Sequence, residues 1–277
     1  SEATQVPLIA AVRKRNVDAI LALLEKGANP NVVGNFEQTP LSVAAQMGDV
    51  RIVELLIRGG AEVERSAATG DTPLTAAVSG QKVECIESLL RHGARIDSGW
   101  ACTPLIRAVG RKISPSIVAM LLRAGADVDA VATENRTTPL IAACRNGNKE
   151  AVKILLLAGA SVTKVDNTGS TPLLAACEYP SGSGLGKTYR PGKGAAKRKK
   201  KASASRENVG HAQFEIAELL LKAGANLHCE KKNGAKPIHI ACQNGFHELI
   251  DLFLRSGVPV NQRGTGGMTP LMAAACK

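Results

Sequence analysis

Aromatic residues are nearly missing from this chain: seven in 277 residues, or 3%. Yet 44% of the residues are hydrophobic, so a core must be assembled from Ala, Leu, Val and Ile. That composition favours close-packed helices over a sandwich, which leans on large β-formers. No segment reaches the ~18 consecutive apolar residues of a membrane span. The opening Ser1-Glu2-Ala3-Thr4 lacks a basic and an apolar region, so no secretory leader is expected there. The seven cysteines form no CxxC pair. An odd count without such pairs argues against a disulfide framework or zinc ribbon and fits a reducing interior. Acidic excess is also missing: the net charge is +11. It is unevenly spread, because residues 179–210 hold nine Lys or Arg and one Glu, a net of +8, leaving +3 elsewhere.

What is present is a period. Pro7, Pro40, Pro73, Pro104, Pro139, Pro172, Pro237 and Pro270 each precede Leu or Ile, at gaps of 33, 33, 31, 35, 33, 65 and 33. Gly27-Ala28, Gly60-Ala61, Gly93-Ala94, Gly125-Ala126, Gly159-Ala160, Gly224-Ala225 and Gly257-Val258 keep the same phase. Within one repeat, Thr39-Pro40 reads as an N-cap followed by proline at the first helical position. Small residues Val43, Ala44 and Ala45 run to Gly48. A second helix follows, with Ile52, Val53, Leu55 and Leu56 on one face, and Gly59-Gly60 ends it. Polar turn residues such as Asp166-Asn167-Thr168-Gly169 then lead to the next proline.

The 33-residue period, the Thr-Pro-Leu opening and the Gly-Ala close resemble ankyrin repeats, most nearly at Pro237-Ile238-His239-Ile240-Ala241. The resemblance covers residues from about 5 to 277 apart from an insertion. It implies an all-α solenoid of stacked helix–turn–helix units with β-hairpin loops: seven complete repeats and the first helix of an eighth. It also implies a hydrogen-bonding structural role for His239. The end, Leu271 to Lys277, does not read as a polar cap, so the chain is expected to be part of a longer protein.

Two repeats depart from the pattern. In repeat four the hairpin between Gly93 and Pro104 is two residues short, and Ser114-Pro115 restarts the second helix. Either this is loop variation, or it locally reshapes the binding groove. In repeat six, residues 180–211 separate the first helix from a second expected at about Gln213. They are rich in Gly, Ser and Lys and are read as a flexible basic insertion. Within it, Gly182 to Thr188 imitates a phosphate-binding loop, but the glycine that motif requires falls at Ser181, and no strand precedes it. Lys197, Arg198, Lys199, Lys200 and Lys201 resemble a nuclear localisation signal; the run also fits contact with nucleic acid or an acidic partner, or a solvated loop. No aromatic lies inside the run to stack on bases.

Chemistry is sparse. Cys144, Cys177 and Cys242 stand where the small-residue helices carry alanine and read as small core hydrophobes. The five histidines form no metal or triad pattern, so neither a catalytic group, a metal nor a cofactor is expected.

Phe36 and Trp100 lie four residues before their prolines, at hairpin tips, and Tyr179 ends a first helix. The resemblance implies that partners bind hairpin tips and the inward face of first helices. That mapping selects Phe36, Met47, Trp100, Arg111, Glu134, Asn135, Arg145, Asn146, Glu178 and Tyr179, with Arg13, Lys14, Gln46, Lys232, Gln243 and Asn244 beside them. The expected function is a monomeric protein-interaction scaffold in the cytoplasm or nucleus. Its partner is a peptide or domain with acidic and apolar residues. The alternative is nucleic-acid or acidic-partner binding through residues 180–211.

Overall fold

The computed structural model describes residues 7–34, 38–66, 70–99, 102–110, 113–178 and 195–275. Phe36, Trp100, Arg111, Tyr179 and the phosphate-loop look-alike lie outside the described residues.

Each marker proline opens a first helix: α1 Pro7–Arg13, α3 Pro40–Met47, α5 Pro73–Ser79, α7 Pro104–Gly110, α9 Pro139–Arg145, α11 Pro172–Ala176, α13 Pro237–Asn244 and α15 Pro270–Ala275. The second helices are α2 Val17–Glu25, α4 Val50–Arg58, α6 Val83–Arg91, α8 Pro115–Arg123, α10 Lys149–Leu157, α12 Ala195–Lys222 and α14 His247–Arg255. The caps explain the starts. The Thr39 hydroxyl accepts from Ser42 N at 3.1 Å, and Ser42 Oγ accepts from Thr39 N at 3.0 Å. Such reciprocal bonding satisfies two amides that a helix start would otherwise leave bare. The second helices end alike. Gly60 has φ +89° and lets Ala61 N reach back to Leu56 O at 2.9 Å. The same bond joins Ala160 N to Leu155 O at 2.9 Å, after Gly159 at φ +86°.

The chain divides into two compact units, Ser1–Glu134 and Asn135–Lys277. In the first, α1, α3, α5 and α7 pack in sequence, and α4 packs on α6. Leu41, Ile52, Leu56, Leu74, Ile86, Leu105 and Leu121 fill its core, while Ala44, Ala45, Ala77 and Ala108 let the first helices approach closely. A Cβ at Gly80 would lie 2.4 Å from Gln46 O, so only glycine fits between those helix ends. In the second unit, α9, α11, α13 and α15 pack in sequence, with α10, α12 and α14 behind them. Leu140, Leu155, Leu173, Ile216, Leu249 and Phe253 are buried there. So are Cys144 and Cys177, as expected of small hydrophobes; Cys242 is only half-buried.

Two details differ from the sequence reading. Among the described residues no β-strand forms. The hairpins are closed by one or two backbone bonds instead, such as Gly34 N to Gln38 O at 3.0 Å, or Lys231 N to Ala235 O at 3.0 Å with Gly234 N to Lys231 O at 2.7 Å. With few residues on either side of each tip, no longer ladder develops. The second difference is the start of the second helix in repeat six: Ala195 rather than about Gln213. Ala195-Ala196-Lys197 to Lys201-Ala202 are strong helix formers, and that propensity extends the core-packed segment backwards. The cationic run therefore lies on helical backbone.

Candidate partner-binding surface

The ends of the first helices and the loops ahead of them carry most of the residues singled out. In the first unit Met47 closes α3 and is half-buried, and its carbonyl accepts from Arg15 Nη2 at 3.2 Å. Arg13 Nη2 donates to Gln38 Oε1 at 3.3 Å. Glu134 is exposed.

The loops of this unit are tied to one another. Asn31 Oδ1 accepts from Glu62 N at 2.7 Å, Glu64 Oε1 from Arg95 N at 2.9 Å, and Asp97 from Asp127 N at 3.2 Å. In each case the acceptor stands four residues after a helix-ending glycine and the donor two residues after the next one. The sequence reading missed this ladder, although acceptor side chains at matching positions of successive repeats were visible in it.

In the second unit Arg145, Glu178, Asp166 and Lys231 form one network. Arg145 Nη2 donates to Asp166 Oδ2 at 2.7 Å, and Arg145 Nε donates to Glu178 Oε2 at 3.2 Å. Glu178 also pairs with Lys231. The Asp166 side chain is 4% exposed and accepts from Thr168 N at 2.8 Å, Thr168 Oγ1 at 2.6 Å and Ser170 N at 3.0 Å. Burial alone would raise its pKa; the Thr168 and Arg145 side chains and the Ser170 and Thr168 amides override that and hold it below the ordinary carboxylate range.

Arg145 and Glu178 therefore do not stand as separate contacts. A signal was available: opposite charges 33 positions apart, one full period, face each other across stacked helices. Arg145, Glu178 and Lys231 keep about one fifth of their side chains exposed (21%, 24% and 18%). Asn146 Nδ2 is bound to Ala142 O at 2.7 Å. Asn135 Oδ1 accepts from Thr137 N at 3.0 Å, and its carbonyl accepts from Asn167 N at 2.9 Å. Both asparagines shape backbone as well as face solvent.

His239 is buried, with Nε2 3.0 Å from Gln262 O and 2.9 Å from Met268 O. It ties α13 to the next loop, the structural role expected of it. Its Nδ1 has no partner among the described residues. At the helix start, where six of the other repeats place Thr, stands Lys236, which makes no side-chain cap.

Among the described residues no cluster of His, Cys, Asp or Glu could hold a metal, and no helix is long and apolar enough to cross a membrane.

Comparison with known proteins agrees with this architecture. A family model for ankyrin repeats matches residues 41–132, 105–184 and 203–277, and a second ankyrin repeat model matches 8–57. Human ankyrin repeat and SOCS box protein 16 is 30% identical over 155 residues, which is 56% of this chain and 29% of that protein. The chain thus spans under a third of that relative's length. The crystal structure of the ankyrin repeat domain of Bcl-3 superposes with TM-score 0.67 at 25% identity, covering 92% of this chain and all of that one. That of the human ASB11 ankyrin repeat domain gives 0.68 at 26% identity, covering 91% and 99%.

Proposed function

The chain belongs to the ankyrin repeat family, and from that membership we propose that it holds a partner peptide or domain on its first-helix ends and the loops ahead of them. Ankyrin repeat domains are protein–protein interaction modules, and the relatives found are ankyrin repeat proteins. The observation that carries the finer reading is the Arg145–Glu178–Lys231 chain. Three consecutive repeats contribute charged side chains that are held in place by one another yet still reach solvent. Charges fixed before a partner arrives lose little conformational freedom on binding. Two cations to one anion, with the apolar Met47 elsewhere, suit a partner carrying acidic and apolar residues.

Phe36, Trp100, Arg111 and Tyr179 belong to this proposal on sequence grounds as aromatic and cationic anchors. The test is affinity capture from cell extract with the whole chain. Alanine at Trp100 or Phe36 is expected to reduce capture about tenfold while leaving the melting temperature unchanged. Loss of fold instead would assign those rings to the interior.

The second reading, nucleic-acid or acidic-partner binding through residues 180–211, is favoured by one observation: the run Lys197–Lys201 lies on helical backbone. It predicts binding that weakens steeply with salt and vanishes on deletion of 180–211. The same run is the proposed import signal, which would place the protein in the nucleus as well as the cytoplasm.

A further inference from the structure

A trough opens in the Ser1–Glu134 unit at the shortened loop of repeat four. Gly60 and Pro73 stand 13 positions apart, Gly125 and Pro139 stand 14 apart, but Gly93 and Pro104 only 11. The chain makes the shorter connection through Gly99, at φ +118°; a Cβ there would lie 2.5 Å from Cys102 O. The loops before and after it are not shortened, so a gap of about 720 Å³ remains between them. Residues from all three loops line it: Glu64 from the first, Arg95, Ile96, Asp97 and Gly99 from the short one, and Val131 from the third.

The lining limits the occupant. Small-molecule sites are closed and mostly apolar. This trough is open, and among the described residues Ile96 and Val131 are its only large aliphatic side chains. Such a shape suits an extended polypeptide. Glu64 and Arg95 neutralise each other, with Arg95 Nε 3.1 Å from Glu64 Oε2. Asp97 is exposed; it accepts the Asp127 amide and pairs with no cation among the described residues. The uncompensated charge in the trough is thus negative, beside an aliphatic wall where Val131 is 40% exposed.

We propose that this trough binds an extended protein segment carrying a Lys or Arg next to an aliphatic residue, the cation meeting Asp97 and the aliphatic side chain lying on Val131 and Ile96. The proposal rests on the interaction-module reading and adds to it a basic-segment preference local to the loop in which Trp100 follows Gly99. The short hairpin, which the sequence allows as tolerated loop variation, here serves to open a site.

The test uses decapeptide pools of random sequence apart from one fixed pair, Val with Lys in one pool and Val with Glu in the other, passed over the immobilised full chain. The chain is expected to retain the Val/Lys pool about fivefold over the Val/Glu pool, the upper range for an exposed ion pair. Asp97→Lys should invert that preference and Val131→Glu should lower retention of the Val/Glu pool further. Both positions are exposed, and thermal melts verify that the variants fold. Equal retention of the pools, or a preference that survives Asp97→Lys, overturns the proposal. If retention survives both variants but Gln243→Arg on the other unit abolishes it, the trough is wrong and the interaction-module reading stands. If no pool is retained while capture from extract persists, the trough again fails alone.

Discussion

Asp166 and Asp97 are both acidic residues in loops that lead into a first helix, and their surroundings differ in kind. Asp166 is enclosed: two amides, a hydroxyl and a guanidinium fill its lone pairs. Asp97 holds one amide and faces water. The first carboxylate has spent its charge on the fold, whereas the second still has it available. An acid near a binding surface is therefore judged by what already occupies its oxygens rather than by its place in the repeat.

The sharpest way to break this contrast is Arg145→Ala. It leaves the Asp166 carboxylate buried without a cation, and urea unfolding should show a loss of about 2–3 kcal/mol, less than for a fully buried pair because Arg145 is partly solvated. Gly99→Ala comes next: steric overlap with Cys102 O and the positive φ should cost about 2 kcal/mol and erase the Lys-over-Glu selection. Asp97→Ala should change stability by about 0.5 kcal/mol or less while removing the same selection, separating charge from scaffold.

Acid titration sharpens the contrast. The folded pKa of Asp166 lies below its ordinary value of 3.8, so its contribution is present above that pH and fades as pH falls further. Arg145→Ala should flatten that part of the stability profile, and Asp97→Ala should leave it intact. A further contrast is kinetic. In the native state half-buried Cys102 should react with a thiol reagent about tenfold faster than Cys144, whose burial both shields it and pushes its thiol pKa well up.

Much of this molecule is legible before folding. Pro40, Pro73 and Pro139 each mark a helix start because proline at the first turn loses no bond, and Gly60 and Gly159 mark ends because only they accept a left-handed backbone cheaply. Ala195 to Ala202 is less legible, because its charge and flanking glycines point to a loop while its helix propensity points to the helix it joins. Arg145 and Glu178 lie at or just beyond first-helix ends, as their place in the repeat predicts. Whether they were free could not be read from their positions, because Asp166 and Lys231 reach them from other loops. The trough is the reverse case. Its cause, a two-residue deletion, is plain in the spacing, but its lining depends on loops 30 residues to either side.

The bonds from Asn31 to Glu62, Glu64 to Arg95 and Asp97 to Asp127 all run one way along the chain. Each loop lends a side-chain acceptor to an amide of its successor, and in one case Arg95 Nε donates back to Glu64 Oε2. Removing the Asn31 carbonyl oxygen should therefore let deuterium into the Glu62 amide sooner, so the exchange rate of that amide reports on a side chain one repeat away.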